Sequence, residues 1–504
     1  MTSPTRVLQA ADDTPFGLDA IVAALSNQFV LITGARQLVR RAKLDTFDRR
    51  LYSAGITLEH QIVSAGGRLV LGQADGSTVT VPAKAVRWPA LVAALPAGSV
   101  RDTIAPVADI RALIASSDER RRLQLIELHN KDGKTVARVE VDEPASASAN
   151  GSDSRVTVRT LRGYEPQAQR AVKILMGCGL RAVESSVEPE HKPLLPTAGT
   201  HRGEPASVLL TKALTDYLAS MRENVPGLLD DIDTEFLHDF RVAVRRTRAT
   251  LKLGRPSLPE VMRTRWEPAF KWLGDMTTPV RDLDVYELGL PTMASWLVST
   301  NPKELEHFAT HLRSRRTAQR RVLIHGLKSA KFRTLMAEWE SELAQMVHPS
   351  ADEDGEHLTA GGLADRGISR AYKRVARDGG AITEESPAEA LHDLRKRCKE
   401  LRYALEVCAP VIAKGPRKHA VANLKGLQDV LGRFQDSEVQ RQALHGFAEE
   451  MMADGTPASA VLAMGELIGH LDADQERARH EFAGAFAIFA QPSNQQLMHR
   501  LGGK

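Results

Sequence analysis

The chain has 504 residues, more than one ordinary domain accommodates, so two to four domains are expected, and its hydrophobic fraction of 42% is sufficient for packed cores. The formal net charge of +4 neither requires nor excludes a polyanionic partner. Three cysteines without paired spacing exclude a disulfide framework, and the lack of a signal-peptide pattern or of an apolar run near the ~20 residues that span a bilayer predicts a cytoplasmic protein without membrane contact.

The sequence pattern of residues 1–185 predicts a domain of short antiparallel strands with a few helices. β-branched or alternating runs, bounded by Gly, Asp and Asn, occur at residues 30–32, 69–71, 79–81, 123–128 and 136–141. The last two runs flank Asn130-Lys131-Asp132-Gly133, a pattern typical of a hairpin. A further strand is predicted at 155–160 and a helix at 166–175, so this region is predicted to be β-rich.

The composition changes after this region. Residues 186–204 are rich in Pro, Glu, Gly and Thr and are predicted to be a linker. Beyond them, apolar residues recur at three- and four-residue spacing, which predicts an all-α region. We expect two pseudo-symmetric bundles of about four helices each, at 205–349 and 363–490, with a connecting loop at 350–362 and a C-terminal tail at 491–504. The fold class is therefore multidomain α+β.

One pattern occurs twice in the helical region. It reads Leu-His-Asp-Phe-Arg from Leu237 and Leu-His-Asp-Leu-Arg from Leu391, and further cations follow each copy at helical spacing. The candidate anion-binding residues are His238, Arg241, Arg245, Arg248 and Lys252 in the first copy and His392, Arg395, Lys399 and Arg402 in the second. Glu406 stands where the first copy has Lys252, so the copies are similar but not equivalent.

On a helix, positions i, i+3, i+7 and i+10 fall within a stripe about 80° wide. An ordinary solvated face would alternate in sign, and stacked like charges are destabilising unless an anion neutralises them. From His238 to Lys252 the stripe is about 20 Å long, which suits a chain of phosphates better than one phosphate. Each histidine is interpreted as a phosphate contact, with a core position and a general base as alternatives. Neither convergent metal ligands nor a nucleophile accompanies the copies, so no catalytic residue, metal or cofactor is predicted.

A third basic run lies between His311 and Arg333, with eight Lys or Arg and no acidic residue. Its helical subset of Arg313, Arg316 and Arg320 is predicted to widen the basic surface. Nucleic acid is the rival polyanion, but single strands usually stack on aromatic side chains, and Phe332 is the only aromatic residue in the run. No helix-turn-helix or zinc pattern is present either, so nucleic acid is the less favoured partner.

A second pair of echoes follows the motif copies in the same order: Leu273-Gly274 with Arg281-Asp282, and Leu431-Gly432 with Gln435-Asp436. Together these elements resemble the CHAD family (conserved histidine α-helical domain) over residues 205–490. The resemblance implies two helical bundles whose basic central groove binds inorganic polyphosphate, and it adds Lys425, which precedes Gln428, as a further basic position. We therefore expect a polyphosphate-binding protein that associates with polyphosphate granules, and a homo-oligomer is compatible with the sequence.

The N-terminal region resembles the CYTH, or triphosphate tunnel, fold through Leu44-Asp45-Thr46-Phe47-Asp48, residues 67–71 and Arg162-Gly163-Tyr164. The family's enzymes hold a divalent metal with a Glu-x-Glu-x-Lys strand, but the corresponding residues 6–10 contain no carboxylate. Leu58-Glu59-His60-Gln61 replaces the family's Leu-Arg-x-Arg. Metal-assisted hydrolysis needs an ion at the phosphate oxygens, so we expect no enzyme. A CYTH-type metal-dependent triphosphatase or polyphosphatase and a non-specific nucleic-acid-binding protein are the alternatives.

Overall fold

A computed structural model of the chain describes residues 5–10, 17–64, 66–75, 77–83, 86–145, 154–182, 200–346 and 358–503. The chain divides into two compact units, residues 1–191 and 192–504. Most of the predicted linker and most of the predicted connecting loop lie outside the described residues.

The described part of the N-terminal unit contains one antiparallel sheet of 11 strands. The strands are β1 (Thr5–Ala10), β2 (Val30–Thr33), β3 (Gln37–Thr46), β4 (Ile56–Val63), β5 (Gly66–Gln73), β6 (Thr78–Pro82), β7 (Ala90–Leu91), β8 (Ala112–His129), β9 (Thr135–Pro144), β10 (Arg155–Thr160) and β11 (Leu180–Ala182). Their order is β11-β1-β10-β9-β8-β3-β4-β5-β6, and both β2 and β7 pair with β8. Every predicted strand falls within one of these strands, so the antiparallel β-rich prediction is confirmed.

Four helices accompany this sheet among the described residues: α1 (Leu18–Ser26), α2 (Arg50–Ser53), α3 (Ser99–Ala108) and α4 (Glu165–Gly177). Residues on one face of β9, such as Val139 and Val141, are buried against α1 and α4, while Arg138 on the other face is exposed. This alternation is the period of two that a half-buried strand requires. The predicted hairpin is closed by a hydrogen bond from Asn130 N to Lys134 O (3.0 Å).

The C-terminal unit is helical throughout its described residues. Its helices are α5 (Ala206–Asp230), α6 (Thr234–Leu253), α7 (Glu260–Ala294), α8 (Leu305–Lys328), α9 (Ala330–Met346), α10 (Ala360–Gly380), α11 (Ala388–Val407), α12 (Lys414–Ala453), α13 (Ala458–Phe489) and α14 (Pro492–Leu501). None of the helices in the described residues is long and apolar enough to cross a membrane.

The predicted first bundle contains five described helices and the predicted second bundle contains four, against an expectation of about four each. One expectation about this unit is corrected. Residues 491–504 do not form a plain tail, because they contain α14, which buries Leu497, Met498 and Leu501 against α10 and α12. Burial of these three side chains stabilises a helix that is too short to be stable on its own.

The two halves repeat with a constant offset. Helices α5 and α10 begin at Ala206 and Ala360, α6 and α11 at Thr234 and Ala388, and α7 and α12 at Glu260 and Lys414, so each pair begins 154 residues apart. The same offset separates the two motif copies. The internal duplication that the sequence indicates is therefore also present in the helix order.

The halves meet as a twofold relation requires, with several helices packed against their own counterparts. Helix α6 packs against α11, and α8 packs against α13. At the starts of α5 and α10 the halves exchange reciprocal backbone hydrogen bonds, from Ala206 N to Leu358 O (2.8 Å) and from Ala360 N to Glu204 O (2.7 Å). An apolar cluster shared by α7, α8, α12 and α13 joins the halves elsewhere.

Candidate functional site

The two motif copies lie on α6 and α11, which contact each other across the twofold relation. An apolar stripe on each helix is buried: Phe240, Val244, Thr247 and Leu251 on α6, and Leu394, Cys398, Leu401 and Leu405 on α11. The cations flank these stripes, so their aliphatic stems lie along the edge of the core while their charged groups point away from it.

Arg241 is half-buried and is held by α7. Its Nη1 donates to Gly274 O (3.1 Å) and to the hydroxyl oxygens of Thr277 (2.8 Å) and Thr278 (2.9 Å). These acceptors are neutral, so they orient the guanidinium without cancelling its charge. The Leu273-Gly274 echo therefore lies where it supplies partners for the first motif copy.

The second motif copy is held by α12 in the corresponding way. The ring Nδ1 of His392 is hydrogen-bonded to Gln435 Oε1, and Arg395 donates to Asp436 Oδ1 (3.1 Å). Asp436 is the counterpart of Asp282 across the 154-residue repeat, and Arg241 lowers the pKa of Asp282 against the larger, raising effect of burial. Both halves thus place one carboxylate beside the first arginine of the motif.

A cleft of about 300 Å³, which we call the central groove, lies between α6 and α11 beside α12. It is lined by Val242, Arg245, Arg246, Arg395, Lys399, Arg402, Tyr403, Glu406 and Gln428. Four of the predicted residues, Arg245, Arg395, Lys399 and Arg402, are therefore brought together from both halves. Arg245 and Lys399 are exposed and make no ion pair or hydrogen bond with the residues that the structure describes.

The environment of the groove lowers the pKa of Lys399 and of the neighbouring Arg241. The pKa of Lys399 is lowered to about 8, mainly by desolvation in the concave site and then by the charges of Arg395 and Arg245. Asp436 opposes this shift. Lys399 keeps exposed surface, so its lost hydration reflects the groove walls rather than full burial. Burial, followed by Arg245, lowers the pKa of Arg241 to about 10. An anion in the groove would counter the charge repulsion in both shifts.

Glu406, which breaks the motif series, takes part in a pair of ion bridges between the halves. Arg246 of α6 donates to Glu406 of α11 (3.1 Å), and Lys252 of α6 donates to Glu400 of α11. Across the repeat, position 246 corresponds to 400 and position 252 to 406, so these are the same contact made twice. Two identical halves would place four cations together here, and α11 avoids this by carrying both acids. Glu406 also accepts from Arg402 (3.0 Å).

The basic run on α8 does not join the central groove, which corrects the expectation that it widens the basic surface. Arg316 donates to the buried Asp284 (2.6 Å) and to Asp231 (2.8 Å). Arg320 forms an ion pair with Asp231 (3.2 Å) and donates to Leu229 O (2.8 Å) at the C-terminal end of α5. These two arginines therefore join α8 to α5 and α7, and their charges are neutralised there.

The remaining predicted residues differ in what they contact. Arg313 is exposed and is paired with Glu306 (2.9 Å). Arg248 on α6 and Lys425 on α12 are exposed and form no ion pair within the described part of the chain. His238 is half-buried on α6.

Arg246 and Tyr403 line the central groove but are absent from the predicted set. Both lie one residue after a predicted cation, on the side of the helix that faces the other half. The stripe pattern follows one edge of a single helix, so it does not include residues that are selected by the packing of α6 against α11.

In the N-terminal unit, the buried cations of the sheet are paired within the sheet. Arg41 donates to Asp142 (2.6 Å), and Arg121 donates to the other carboxylate oxygen of Asp142 (2.7 Å). Glu119 lies within ion-pair distance of Arg41 (3.5 Å) and Arg121 (3.7 Å). No group of three or more His, Cys, Asp or Glu side chains that could hold a metal ion occurs among the described residues of either unit.

A family model for the CHAD domain matches residues 212–445. Two curated proteins of Mycobacterium tuberculosis are similar to the chain: the uncharacterized protein Rv2226 of strain H37Rv is 28% identical over 256 residues, and MT2285 of strain CDC 1551 is 27% identical over 256 residues. Each match covers 49% of this chain and 47% of the relative. The chain thus spans about half the length of the curated relatives it matches.

Solved structures are similar to each of the two units. The CHAD domain from the plant Ricinus communis is 24% identical, with a TM-score of 0.44, over 57% of this chain and 97% of that chain. PptA from Streptomyces chartreusis is 17% identical, with a TM-score of 0.43, over 56% and 100%. A proposed adenylyl cyclase from Hippeastrum, described as having a dominant triphosphatase activity, is 12% identical, with a TM-score of 0.24, over 36% and 91%.

Proposed function

Residues 212–445 form a CHAD domain, as the repeated motif predicts, and from this premise we propose that the protein binds inorganic polyphosphate in its central groove. The observation that carries the proposal is the pair Arg245 and Lys399. The two halves place these cations in one concave site, and neither forms an ion pair or hydrogen bond with the described residues. The exposed Arg313 of α8, by contrast, is paired with Glu306.

The chemistry of the groove fits a chain of phosphates. Each phosphate unit offers anionic oxygens that accept charge-assisted hydrogen bonds from Arg and Lys. Arg241 and Arg395 are already oriented by hydrogen bonds to α7 and α12, so little side-chain entropy is lost when they meet an anion. The groove has cations from both halves, which favours a polymer that crosses from one half to the other over a single phosphate ion.

Binding to long-chain polyphosphate as a function of salt tests the proposal. Arg245→Ala/Lys399→Ala should weaken binding about 100-fold at low salt, taking roughly 1.4 kcal/mol per charge-assisted contact. The slope of log K against log salt should become shallower by roughly 1.5 as two phosphate contacts are lost. Fluorescence polarisation or calorimetry at several salt concentrations measures both quantities.

The matched control is Arg321→Ala/Lys328→Ala, which removes two exposed cations of α8 that make no ion pair with the described residues. It changes the net charge by the same amount at a place outside the groove, so affinity should stay within about twofold. Equal losses in the groove variant and in this control would mean that binding follows net charge alone, and the groove proposal would be wrong.

Nucleic acid is the alternative polyanion, and competition separates the two ligands. The groove lining contains one aromatic side chain, Tyr403, which offers little surface for base stacking. DNA at equal phosphate concentration should therefore displace labelled polyphosphate poorly. Efficient displacement by single-stranded DNA would favour a general polyanion-binding protein.

We further propose that the N-terminal unit does not hydrolyse phosphate chains. Its β1 has no carboxylate for a divalent ion, and Arg41 and Arg121 are paired with Asp142. Incubation with tripolyphosphate and Mg²⁺ or Mn²⁺ should release no phosphate above a heat-inactivated control. Release that depends on the added ion would establish the triphosphatase alternative.

Association with polyphosphate granules is the cellular form of the proposal. A fluorescent fusion of the full chain should form foci in cells that synthesise polyphosphate and should become diffuse when synthesis is removed. The Arg245→Ala/Lys399→Ala fusion should be diffuse in both backgrounds. Diffuse signal of the wild-type fusion in both would exclude granule association while leaving binding in solution intact.

A further inference from the structure

Helix α10 carries a second cationic face that is separate from the motif helices. Five cations, Arg366, Arg370, Lys373, Arg374 and Arg377, fall within a stripe about 100° wide and about 17 Å long. Four of them are exposed, and Arg374 is half-buried. They line an open concave surface together with Ser369.

Few carboxylates neutralise this face. Asp365 is bound by Arg202 (2.8 Å), so it is not available to the stripe. Arg377 pairs with its neighbour Asp378 (2.7 Å), and Arg374 lies 3.5 Å from Glu400. The other three cations of the stripe, Arg366, Arg370 and Lys373, form no ion pair with any residue in the described ranges. Like charges at i, i+4 therefore remain uncompensated along the helix.

The fold itself does not require these cations. Helix α5 is the counterpart of α10 across the 154-residue repeat and packs in the equivalent place. Its residues at the five corresponding positions are Lys212, Asp216, Ala219, Ser220 and Glu223, which carry one positive and two negative charges. A helix without a basic face is therefore sufficient for this position in the fold, and the charge on α10 needs a different explanation.

The α10 face is continuous with the C-terminal end of the motif helix α6. A cavity of about 250 Å³ between these helices has apolar walls that include Leu253 and Leu363. Its charged lining residues are Lys252 of α6, Arg255 just after α6, Arg366, Arg370 and Arg374 of α10, and Glu400 of α11. Gly367 of α10 faces Leu253 so closely that a Cβ at Gly367 would lie 2.7 Å from Leu253 Cδ1. This close approach brings the end of the α6 stripe next to the α10 stripe.

We propose that the cationic face of α10 is a second polyphosphate-binding surface, which takes the part of a long chain that extends past the Lys252 end of the central groove. The inference rests on the proposed function and specifies its ligand as long-chain polyphosphate. The protein binds such a chain in two consecutive segments. A short chain fills the central groove alone. Chain-length preference then arises from α10, while recognition of the phosphate chain arises from α6 and α11.

One carboxylate lies between the two segments. Glu400 accepts from Lys252 and lies near Arg374 and Arg397 (3.5 Å each). A chain that passes from α6 to α10 has to run beside this acid, whose charge three cations offset. Glu400→Gln should therefore raise the affinity for long-chain polyphosphate while leaving that for tripolyphosphate nearly unchanged.

The principal test uses Arg370→Ala/Lys373→Ala, which removes two exposed cations without an ion partner in the described residues. Binding of tripolyphosphate and of long-chain polyphosphate is measured for this variant, the wild type, the groove variant Arg245→Ala/Lys399→Ala and the control Arg321→Ala/Lys328→Ala. The α10 variant should bind long chains about tenfold more weakly, with a salt slope shallower by roughly 1.5, and should bind tripolyphosphate within twofold of wild type. The groove variant should lose affinity for both ligands.

Each other outcome overturns the inference in a recognisable way. Unchanged long-chain affinity and salt slope in the α10 variant would exclude a contact at α10. Equal losses for both ligands would indicate a general field effect without a second segment. Loss of binding to anionic lipid vesicles with unaltered polyphosphate binding would assign the face to a membrane surface. If the wild type bound neither phosphate ligand, the proposed function itself would fail.

Discussion

Two cationic regions of the helical unit, the central groove and the α8 run, have different environments. On α8, Arg316 and Arg320 contact Asp231 and Asp284, so the charges of these two arginines are used within the fold. In the groove, Arg245 and Lys399 form no ion pair with the described residues. The two regions therefore differ in how far carboxylates of the fold neutralise their cations.

Arg241 and Arg316 also differ in the acceptors that orient their guanidinium groups. Arg241 at the edge of the groove is held by a backbone carbonyl and by two hydroxyls, which are neutral. Arg316 is held by two carboxylates, which are negatively charged. Neutral acceptors fix the direction of a guanidinium and leave its field available to a ligand, whereas carboxylates remove that field.

Loss of Arg316 should have the largest effect of any single substitution in this comparison. Arg316→Ala leaves Asp284, whose side chain is 1% exposed, without its cation, so the free energy of unfolding should fall by about 3–5 kcal/mol. Burial raises the pKa of Asp284, and Arg316 opposes that shift. The destabilisation should therefore shrink as the pH falls, because Asp284 takes up a proton. Chemical denaturation at several pH values measures it.

The double variant Arg316→Ala/Asp284→Asn provides the control for this prediction. It removes the cation and the buried charge together, so most of the lost stability should return. Polyphosphate affinity of the folded protein should stay within about twofold of wild type in either variant. A large loss of affinity in the double variant would mean that α8 contributes to the binding surface after all.

Binding should depend on pH through Lys399. Its pKa in the free protein is lowered to about 8, and a bound phosphate would raise it, so binding takes up a proton. Affinity is therefore greatest below pH 8 and should fall about tenfold between pH 7 and pH 9, as the protonated fraction of Lys399 falls. Titrations at constant ionic strength measure this dependence.

Lys399→Arg is the matched variant for the pH experiment. Arginine stays protonated over the whole range, so the tenfold decrease should disappear while affinity at pH 7 is largely retained. A decrease of equal size in wild type and Lys399→Arg would assign the titration to another group and would exclude Lys399 as a phosphate contact.

The sequence predicted the parts of the site that depend on one helix. Helical spacing placed Arg245 and Lys399 in cation stripes that each follow one helix, and the repeat indicated two related halves. The partners of Arg316 could not be predicted in this way, because Asp284 and Asp231 lie 32 and 85 residues away and are brought close by helix packing. Arg246 was missed for the same reason, since its partner Glu406 is 160 residues away.

The prediction of the fold had the same limit, because packing between distant elements could not be read from the sequence. The period of two in the N-terminal region and the period near 3.6 beyond it were sufficient to identify strands and helices. Helix α14 was missed because only 10 residues form it, and its apolar residues Leu497, Met498 and Leu501 are informative only once α10 and α12 are known to pack there.

Removal of the Glu406 carboxylate should increase the affinity of the groove for polyphosphate. Glu406→Gln leaves Arg246 and Arg402 without their acidic partner, so both guanidiniums become available to phosphate. Polyphosphate affinity should rise about threefold, and the free energy of unfolding should fall by roughly 1 kcal/mol, because one ion pair between the halves and one within α11 are lost. Unchanged affinity would show that Arg246 and Arg402 are out of reach of the ligand.

The smallest effect, and the one that separates the two regions most directly, concerns the stability of the free protein. Desolvation by the groove walls, followed by Arg395 and Arg245, lowers the pKa of Lys399, so its charge opposes folding below pH 8. Lys399→Met keeps the aliphatic stem and removes the charge, and the free protein should become more stable by roughly 0.5 kcal/mol at pH 7. The same change at Arg320, which neutralises Asp231, should have the opposite sign.

Thermal unfolding without ligand compares Lys399→Met with Arg320→Met. If both variants were destabilised, Lys399 would be as well compensated as the α8 cations, and the distinction between a ligand-binding cation and a structural one would not hold for this protein.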